Sequence, residues 1–142
     1  MQLSAFTDYS LRVLIYVGLR PNERASITEV TDAYGISRNH VVKVVHRLQE
    51  LGYLKTFRGR SGGIELGRPP SQILVGKVVA DMENMQLVEC FKADRECVLT
   101  GHCVLRRALS EAASAFLKVL DGYTLADLLR PKSKLRNSLA LS

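Results

Sequence analysis

The sequence predicts a mainly α-helical fold of the winged helix-turn-helix type, with a two-stranded β wing and a long C-terminal dimerisation helix. Three observations predict this fold. Two amphipathic helices are separated by a short turn, a glycine-rich hairpin follows the second of them, and an apolar helical stripe extends through residues 104–120.

The size and charge of the chain limit the kinds of protein it can be. Its 142 residues make about one domain, and its net charge of +6 favours a polyanionic partner. Trp is absent, which argues against a base-stacking platform for single strands. No apolar run approaches the ~18 residues that span a bilayer, and the first residues lack the features of a signal peptide. We therefore expect a cytoplasmic protein without a membrane partner.

The first two predicted helices have recognisable signals at their ends. Thr7 is a candidate N-cap for a helix that continues to residue 18 or 19, and Pro21 stops it. Ser26 and Glu29 have the spacing of a capping box, which opens a short helix that reaches Tyr34.

A third helix is predicted from Arg38 to Leu51. Gly35 breaks the preceding helix, Ser37 can cap the new one, and Gly52 ends it at a position that favours a left-handed residue. One face of this helix is an apolar stripe made of Val41, Val44, Val45 and Leu48.

A hairpin and a fourth helix are predicted next. Two extended runs, Tyr53–Phe57 and Ile64–Leu66, are joined by the glycine-rich segment 58–63, which predicts a β wing with a mobile tip. The pair Pro69-Pro70 then breaks the chain, and a fourth helix runs roughly over 75–83.

The C-terminal part is predicted to contain an irregular loop, a long helix, a short closing helix and a tail. Thr124 begins the closing helix and Pro131 ends it, and the basic tail beyond is expected to be poorly ordered. The predicted divisions are the winged helix-turn-helix (1–83), the loop with all three cysteines (84–103), the long and closing helices (104–130) and the tail (131–142).

The excess positive charge is concentrated on residues 38–60, where six basic residues accompany one acidic residue. The second helix of a helix-turn-helix can place its N-terminal residues in the major groove of double-stranded DNA, where Arg pairs with guanine and Asn with adenine. Arginines at a hairpin tip can enter the minor groove or hold phosphates. The predicted DNA-binding residues are Thr28, Ser37, Arg38, Asn39, His40, Lys43, His46, Arg58, Gly59, Arg60, Gly62 and Gly63.

Two other interpretations of this region are weaker. Helix 38–51 could be an ordinary core helix with a polar outer face, but the local charge and the arginine-bearing hairpin favour DNA binding. The pair Gly62-Gly63 could belong to a phosphate-binding loop for a nucleotide, but no helix starts directly after it and no Lys-Ser/Thr pair follows.

Three cysteines, Cys90, Cys97 and Cys103, lie within fourteen residues of irregular chain, and there are no others. Their spacing is too open for the Cys-x2-Cys knuckles of structural zinc. Thiolates from a flexible loop suit an iron–sulphur cluster, and three of them leave one coordination site open. Lone cysteines are more commonly buried small hydrophobes, but the clustering argues against coincidence. Candidates for the open site include water, a small thiol, His102, Glu89 and Glu96.

Two rival functions use the same residues. A thiol or zinc sensor on the same DNA-binding body would use the cysteines without iron. A small redox enzyme would use the cluster for catalysis, but the sequence contains no substrate-pocket motif and no acid/base pair at a useful spacing.

Several motifs resemble those of the Rrf2 family of winged-helix iron–sulphur repressors, over nearly the whole chain. The similarity is carried by Leu3 with Phe6-Thr7-Asp8-Tyr9, by the segment from Val30 to His40, by Arg58-Gly59-Arg60 with Gly62-Gly63-Ile64, by the three cysteines, and by Tyr123-Thr124-Leu125-Ala126-Asp127-Leu128. The segment through Asn39-His40 and the Tyr-Thr-Leu-Ala-Asp stretch are typical of the nitric-oxide-sensing branch.

The resemblance implies a homodimer joined mainly through the helix at 104–120, with a cluster near the interface bound by Cys90, Cys97 and Cys103. It implies a 4Fe–4S cluster, although related proteins carry 2Fe–2S. Nitric oxide is the implied signal, and operator binding is lost when it reacts. The fourth ligand implied is Asp8 of the partner subunit. A simpler role for Asp8 is to favour the N-terminus of the first helix electrostatically.

Overall fold

The computed structural model describes all 142 residues and confirms the predicted winged helix-turn-helix. Short 3-10 turns lie at Pro70–Gln72 and Glu89–Phe91. The other elements, in chain order, are α1 (Ala5–Gly18), α2 (Ile27–Tyr34), α3 (Arg38–Glu50), β1 (Leu54–Phe57), β2 (Gly63–Leu66), α4 (Val75–Met82), α5 (Val104–Asp121), α6 (Leu125–Leu128) and α7 (Lys132–Ser138). None of the helices is both long and apolar enough to cross a lipid bilayer.

The first helix begins earlier than the sequence predicted. Ser4 is the N-cap, and its Oγ accepts a hydrogen bond from the backbone N–H of Thr7 at 3.2 Å. Thr7, the predicted cap, is fully buried inside the first turn instead. Ser4 and Thr7 have the same capping chemistry, so burial, which is set by the tertiary fold, decides between them.

The helix-turn-helix forms at the predicted signals. Ser26 and Glu29 form the reciprocal capping box that opens α2. Gly35 ends α2 with φ 64°, a left-handed conformation that costs glycine little. Ser37 then caps α3 by accepting a hydrogen bond from the backbone N–H of His40 at 3.3 Å.

The wing is an antiparallel hairpin in which Leu54 lies opposite Leu66 and Phe57 lies opposite Gly63. Ala25, which precedes α2, adds a single bridge to this sheet. Its N–H donates to the carbonyl of Ile64 at 2.9 Å, and its own carbonyl accepts from the N–H of Ile64 at 2.7 Å. The wing is thereby joined to the helix-turn-helix close to its last residue pair, Phe57 and Gly63.

One hydrophobic core holds these elements together, and the closing helix α6 is part of it. Leu125 is 2% exposed and packs in the same core as residues of α1, α3 and the wing. Its N–H donates to the carbonyl of Ile73 at 2.8 Å, and the N–H of Val75 donates to the carbonyl of Tyr123 at 2.9 Å. The closing helix at the end of the predicted 104–130 division therefore completes the winged-helix core.

The C-terminal tail is ordered, and the prediction of a poorly ordered 131–142 segment was wrong. Residues Lys132–Ser138 form α7. The Arg136 guanidinium donates to the carbonyl of Leu19 at 2.5 Å and also to the carbonyl of Ser142, while Leu139 and Leu141 pack against the core. The basic tail therefore forms a short helix, and the leucines that follow this helix pack against the core.

The long helix α5 has no buried residue in the single chain. Val104, Leu105 and Val119 are 65–66% exposed. One side of the helix packs closely on α4, where a Cβ added to Gly76 would lie 2.7 Å from the carbonyl oxygen of Leu117. The apolar stripe on α5 is therefore left uncovered within one chain.

Candidate DNA-binding surface and cysteine loop

The predicted DNA-reading residues come together at the N-terminal end of α3. Arg38, Asn39, His40 and Lys43 are all exposed, because the opposite face of α3 supplies the buried valines and Leu48. The Arg38 guanidinium donates to the hydroxyl of Thr28 at 3.0 Å, which links the starts of α3 and α2. The two helices therefore present one continuous polar surface.

The first helix supports this surface from behind. The rings of Tyr9 and His40 lie with their centroids 5.7 Å apart in a tilted arrangement. Tyr34, at the end of α2, donates from its hydroxyl to the carbonyl of Arg12 at 2.9 Å, and its burial raises its pKa to about 12. These contacts join α1 to the start of α3 and to the end of α2.

The single acidic residue of the basic region lies at the far end of α3. Glu50 pairs with Arg47 at 3.3 Å and lies 3.6 Å from the imidazole of His46. His46 therefore lies next to a carboxylate, whereas Lys43 has no ion-pair partner in the chain. The uncompensated charge of α3 is concentrated toward its N-terminal half.

The wing tip carries Arg58 and Arg60 on a tight glycine turn. Gly59 has φ 94° and Gly63 has φ 135°, and both are left-handed conformations that a side chain would strain. A Cβ added to Gly62 would lie 2.4 Å from the carbonyl oxygen of Phe57. The three glycines are thus required by the turn itself, and the two arginines project from it into solvent.

Sequence reasoning missed the polar residues that join α3 to the wing. Thr56 donates from its hydroxyl to the side-chain oxygen of Gln49 at 2.8 Å, across a polar cleft bordered by His46 and Arg58. Arg24, which precedes α2, reaches the wing as well. None of these residues belongs to a local motif, and only the tertiary fold brings them together.

The underside of the wing is tied to α4 through a buried tyrosine. Tyr53 donates from its hydroxyl to Asp81 at 2.6 Å, and Asp81 also pairs with Lys77 at 3.0 Å. Burial raises the pKa of Asp81, but the hydrogen bonds from Tyr53 and Lys77 outweigh burial and lower it overall. Asp81 therefore stays ionised as an anchor between the wing and α4.

The cysteine loop between α4 and α5 places its three cysteines in three different local structures. Cys90 lies in the 3-10 turn, Cys97 is exposed, and Cys103 caps α5, with its Sγ accepting from the N–H of Arg106 at 3.4 Å. All three thiols are free, and no three His, Cys, Asp or Glu side chains come together as a metal site. Cys103 and His102 line a cleft of about 1010 Å³ between the loop, α4 and α5.

The chemistry of these donors nevertheless suits an iron–sulphur cluster. Thiolates are the usual protein ligands of such clusters. Within 87–102 the backbone hydrogen bonds are only local turns, such as Thr100 N–H to the carbonyl of Cys97 at 2.9 Å. The loop can therefore draw its thiols together without breaking a helix or a strand.

Asp8 lies half-exposed in the first turns of α1, on the same surface as Tyr9. Its carboxylate pairs with Arg12 at 2.9 Å and accepts a second hydrogen bond from the Arg12 Nε at 3.1 Å. Asp8 is therefore more than an acidic residue near the helix N-terminus, because it has an ion-pair partner, Arg12, within its own chain.

The exposed basic helix, its polar partner helix and the arginine-bearing wing define a DNA-binding transcriptional regulator of the winged-helix class. The chain belongs to the Rrf2 family, described as iron-dependent transcriptional regulators, which it matches over residues 3–131. Proteins of this kind are regulators and not enzymes, so the redox-enzyme alternative is removed.

Individual relatives agree with this assignment. The HTH-type transcriptional regulator NsrR of Geobacillus kaustophilus is 51% identical over 142 residues, covering 98% of this chain and 97% of the relative. CymR (YrzC), the global cysteine regulator of B. subtilis, superposes with a TM-score of 0.71 at 25% identity, over 90% of this chain and 95% of its own. IscR of T. potens, at 23% identity, has the same fold, with a TM-score of 0.72 over 92% of this chain and 88% of its own.

Proposed function

We propose that this protein is a cytoplasmic, homodimeric repressor that binds double-stranded operator DNA and releases it in response to nitric oxide. One observation carries the DNA-binding part. Arg38, Asn39 and Lys43 stand exposed at the start of a capped helix, with the region's only carboxylate, Glu50, engaged at its opposite end. Such a helix suits the major groove, which is about 12 Å wide.

The DNA contacts divide between two elements. Arg38 and Asn39 are assigned to base edges, as partners of guanine and adenine, and His40 and Lys43 to bases or neighbouring phosphates. Ser37 and Thr28 bring the helix starts, with their free N–H groups, toward the phosphate backbone. The second element is the wing, where Arg58 and Arg60 reach the minor groove or its phosphates.

The dimer is supported by the uncovered stripe on α5. Val104, Leu105 and Val119 are each about two-thirds exposed, on a helix of 18 residues. Contiguous apolar surface of this kind marks a protein interface. A second copy of α5 would cover the stripe. The dimer would then place its two α3 helices on successive turns of DNA, as the half-sites of a palindromic operator require.

The signal-sensing part of the proposal rests on the cysteine loop. Cys90, Cys97 and Cys103 are assigned as ligands of a 4Fe–4S cluster, with 2Fe–2S as the alternative, and Asp8 of the partner subunit is assigned as the remaining ligand. A cluster bound there supplies iron that reacts with nitric oxide. A carboxylate is a hard ligand for such iron and is therefore the weakest of the four.

One experiment tests the proposal. The protein is purified without oxygen, its iron, sulphide and zinc are measured, and its affinity for a duplex that it selects from a random library is followed during a nitric oxide titration. We expect iron and sulphide in the protein, and loss of DNA binding as nitric oxide is added. Zinc, or no metal, with a response to oxidants of thiols would instead support a zinc or thiol sensor on the same fold.

A further inference from the structure

Arg24 lies against the outer part of the wing, from β2 to the tip turn. Its guanidinium carbon lies 3.5 Å from the centroid of the Phe57 ring, at the end of β1. One terminal nitrogen donates to the carbonyl of Ser61, within the tip turn, at 2.7 Å, and the Nε lies 3.4 Å from the carboxylate of Glu65 on β2. One side chain thus contacts both strands and the turn between them.

The wing needs such support. Each strand has four residues, and a two-stranded hairpin of this size is marginal by itself in water. The bridge between Ala25 and Ile64 holds β2 where Ile64 lies opposite Thr56, and it does not extend into the turn that follows Phe57. Beyond that bridge, the side chain of Arg24 is the contact from the helix-turn-helix that reaches the tip.

The chemistry of these contacts favours arginine over other cations. A planar guanidinium can stack on an aromatic ring and donate sideways hydrogen bonds at the same time, which an ammonium cannot do. The Arg24 side chain is 34% exposed and Phe57 is 36% exposed, so the stack lies at the surface and not in the core. Loss of the stack should therefore loosen the tip and leave the domain folded.

We propose that Arg24 is a positioning residue for DNA binding, which holds the wing tip in one conformation and so presents Arg58 and Arg60 to the DNA. This inference rests on the proposed contact between the wing and the DNA. Arg24 acts through the tip arginines. Because the tip is already held in one conformation, less free energy is spent on ordering Arg58 and Arg60 when they bind DNA.

The contacts of Arg24 with Phe57, Ser61 and Glu65 form a clamp on the wing tip, and the first test measures this clamp without DNA. In the full-length protein, Arg24→Gln should raise amide hydrogen exchange at Gly62, whose N–H donates to the carbonyl of Gly59 at 3.0 Å, at least tenfold, and Arg24→Lys should restore little of the protection. Phe57→Leu removes the stacking surface with Arg24 in place and should have the same local effect. Unchanged exchange in both Arg24→Gln and Phe57→Leu would overturn the clamp. Circular dichroism and the melting temperature show that each variant is folded.

The second test measures use of the clamp in binding, with a duplex that the parent protein selects from a random library as the probe. Arg24→Gln should weaken binding three- to tenfold in the parent protein and less than twofold in the Arg58→Ala/Arg60→Ala background. An equal loss in both backgrounds would show that Arg24 touches DNA itself and would overturn the positioning role. Lys134→Ala, which removes one charge from α7, is the charge control.

The two proposals fail in different ways. If Arg58→Ala/Arg60→Ala leaves affinity and its salt dependence unchanged, the contact between wing and DNA is wrong, whatever the exchange data show. If that variant weakens binding but Arg24→Gln does not, the wing contact stands and the role of Arg24 is wrong.

Discussion

The carboxylate of Glu83 accepts a hydrogen bond from the backbone N–H of Ser4 at 2.7 Å, which ties the end of α4 to the N-cap of α1. Partial burial raises the pKa of Glu83, but hydrogen bonds, led by that of Ser4, lower it overall below its ordinary value of 4.5. Glu83 directly precedes the cysteine loop, and Asp8 lies one turn after Ser4. The bond therefore connects the two segments to which ligands of the proposed cluster are assigned.

Replacement of Glu83 by Gln should weaken this connection. We expect Glu83→Gln to lower the free energy of unfolding by about 1 kcal/mol at neutral pH, since a partly exposed charge-assisted hydrogen bond is lost. Because the folded-state pKa lies below 4.5, the parent's advantage is complete above that pH and disappears as the pH falls through the folded-state value. Urea titrations at several pH values measure it, with Glu111→Gln on α5 as the control. A difference that grows toward acid pH would contradict this assignment.

The base-reading role of α3 predicts a loss of both affinity and selectivity. Arg38→Ala and Asn39→Ala should each cost roughly 1–3 kcal/mol on the selected duplex and relax preference at the bases they read. Gel-shift titrations on selected and randomised duplexes of equal length measure both effects. Equal weakening on the two duplexes would mean that these side chains contact only the backbone.

The cysteine loop is expected to serve sensing and not folding. Cys97 is exposed and contributes nothing to the core, so Cys97→Ser should keep the melting behaviour of the iron-free parent while losing bound iron and the nitric oxide response. Iron analysis and a nitric oxide titration of DNA binding check this. Release of DNA by nitric oxide from an iron-free Cys97→Ser protein would exclude the cluster as the sensor.

Asp8 offers a separate test of the fourth ligand. Asp8→Ala should keep the three thiol ligands, so we expect bound iron with an altered absorption spectrum and altered kinetics of reaction with nitric oxide. Arg12→Ala is the matched control, because it removes the ion pair of Asp8 and leaves the carboxylate in place. If both variants matched the parent spectrum, Asp8 would be only a surface partner of Arg12.

The C-terminal helix should contribute measurably to the stability of the winged helix. Arg136→Ala removes the donor to the carbonyl of Leu19 at the end of α1, and we expect a loss of about 1 kcal/mol. Lys134→Ala, two residues away and exposed, should have no effect. Thermal denaturation compares the two variants, and equal melting temperatures would contradict the role given to Arg136.

The sequence predicted what short-range patterns encode. The capping box at Ser26, the turn at Gly35 and the glycine hairpin all formed where local residue types required them. The misplaced N-cap and the ordered tail depended instead on burial of Thr7 and on the contact between Arg136 and Leu19, 117 residues apart. Such pairings carry no local signal.

Arg24 and the cysteines show the same limit at the candidate sites. The stack of Arg24 on Phe57 joins residues from separate elements, and no spacing rule would pair them. The cysteines were found because they are close in sequence, but sequence proximity does not give their spatial arrangement. The structure places them in a 3-10 turn, in an exposed irregular segment and at the N-cap of α5.

Because the apolar stripe of α5 is uncovered within one chain, the concentration of the protein affects how the protein behaves. In the proposed dimer, burial of Val104, Leu105 and Val119 is gained only when two chains meet, so the stability of this region rises with subunit concentration. A newly made chain would meet proteases as a monomer with exposed apolar surface until it finds a partner. A cell could therefore adjust the threshold of repression through synthesis and turnover of the subunit, without any change in the signal.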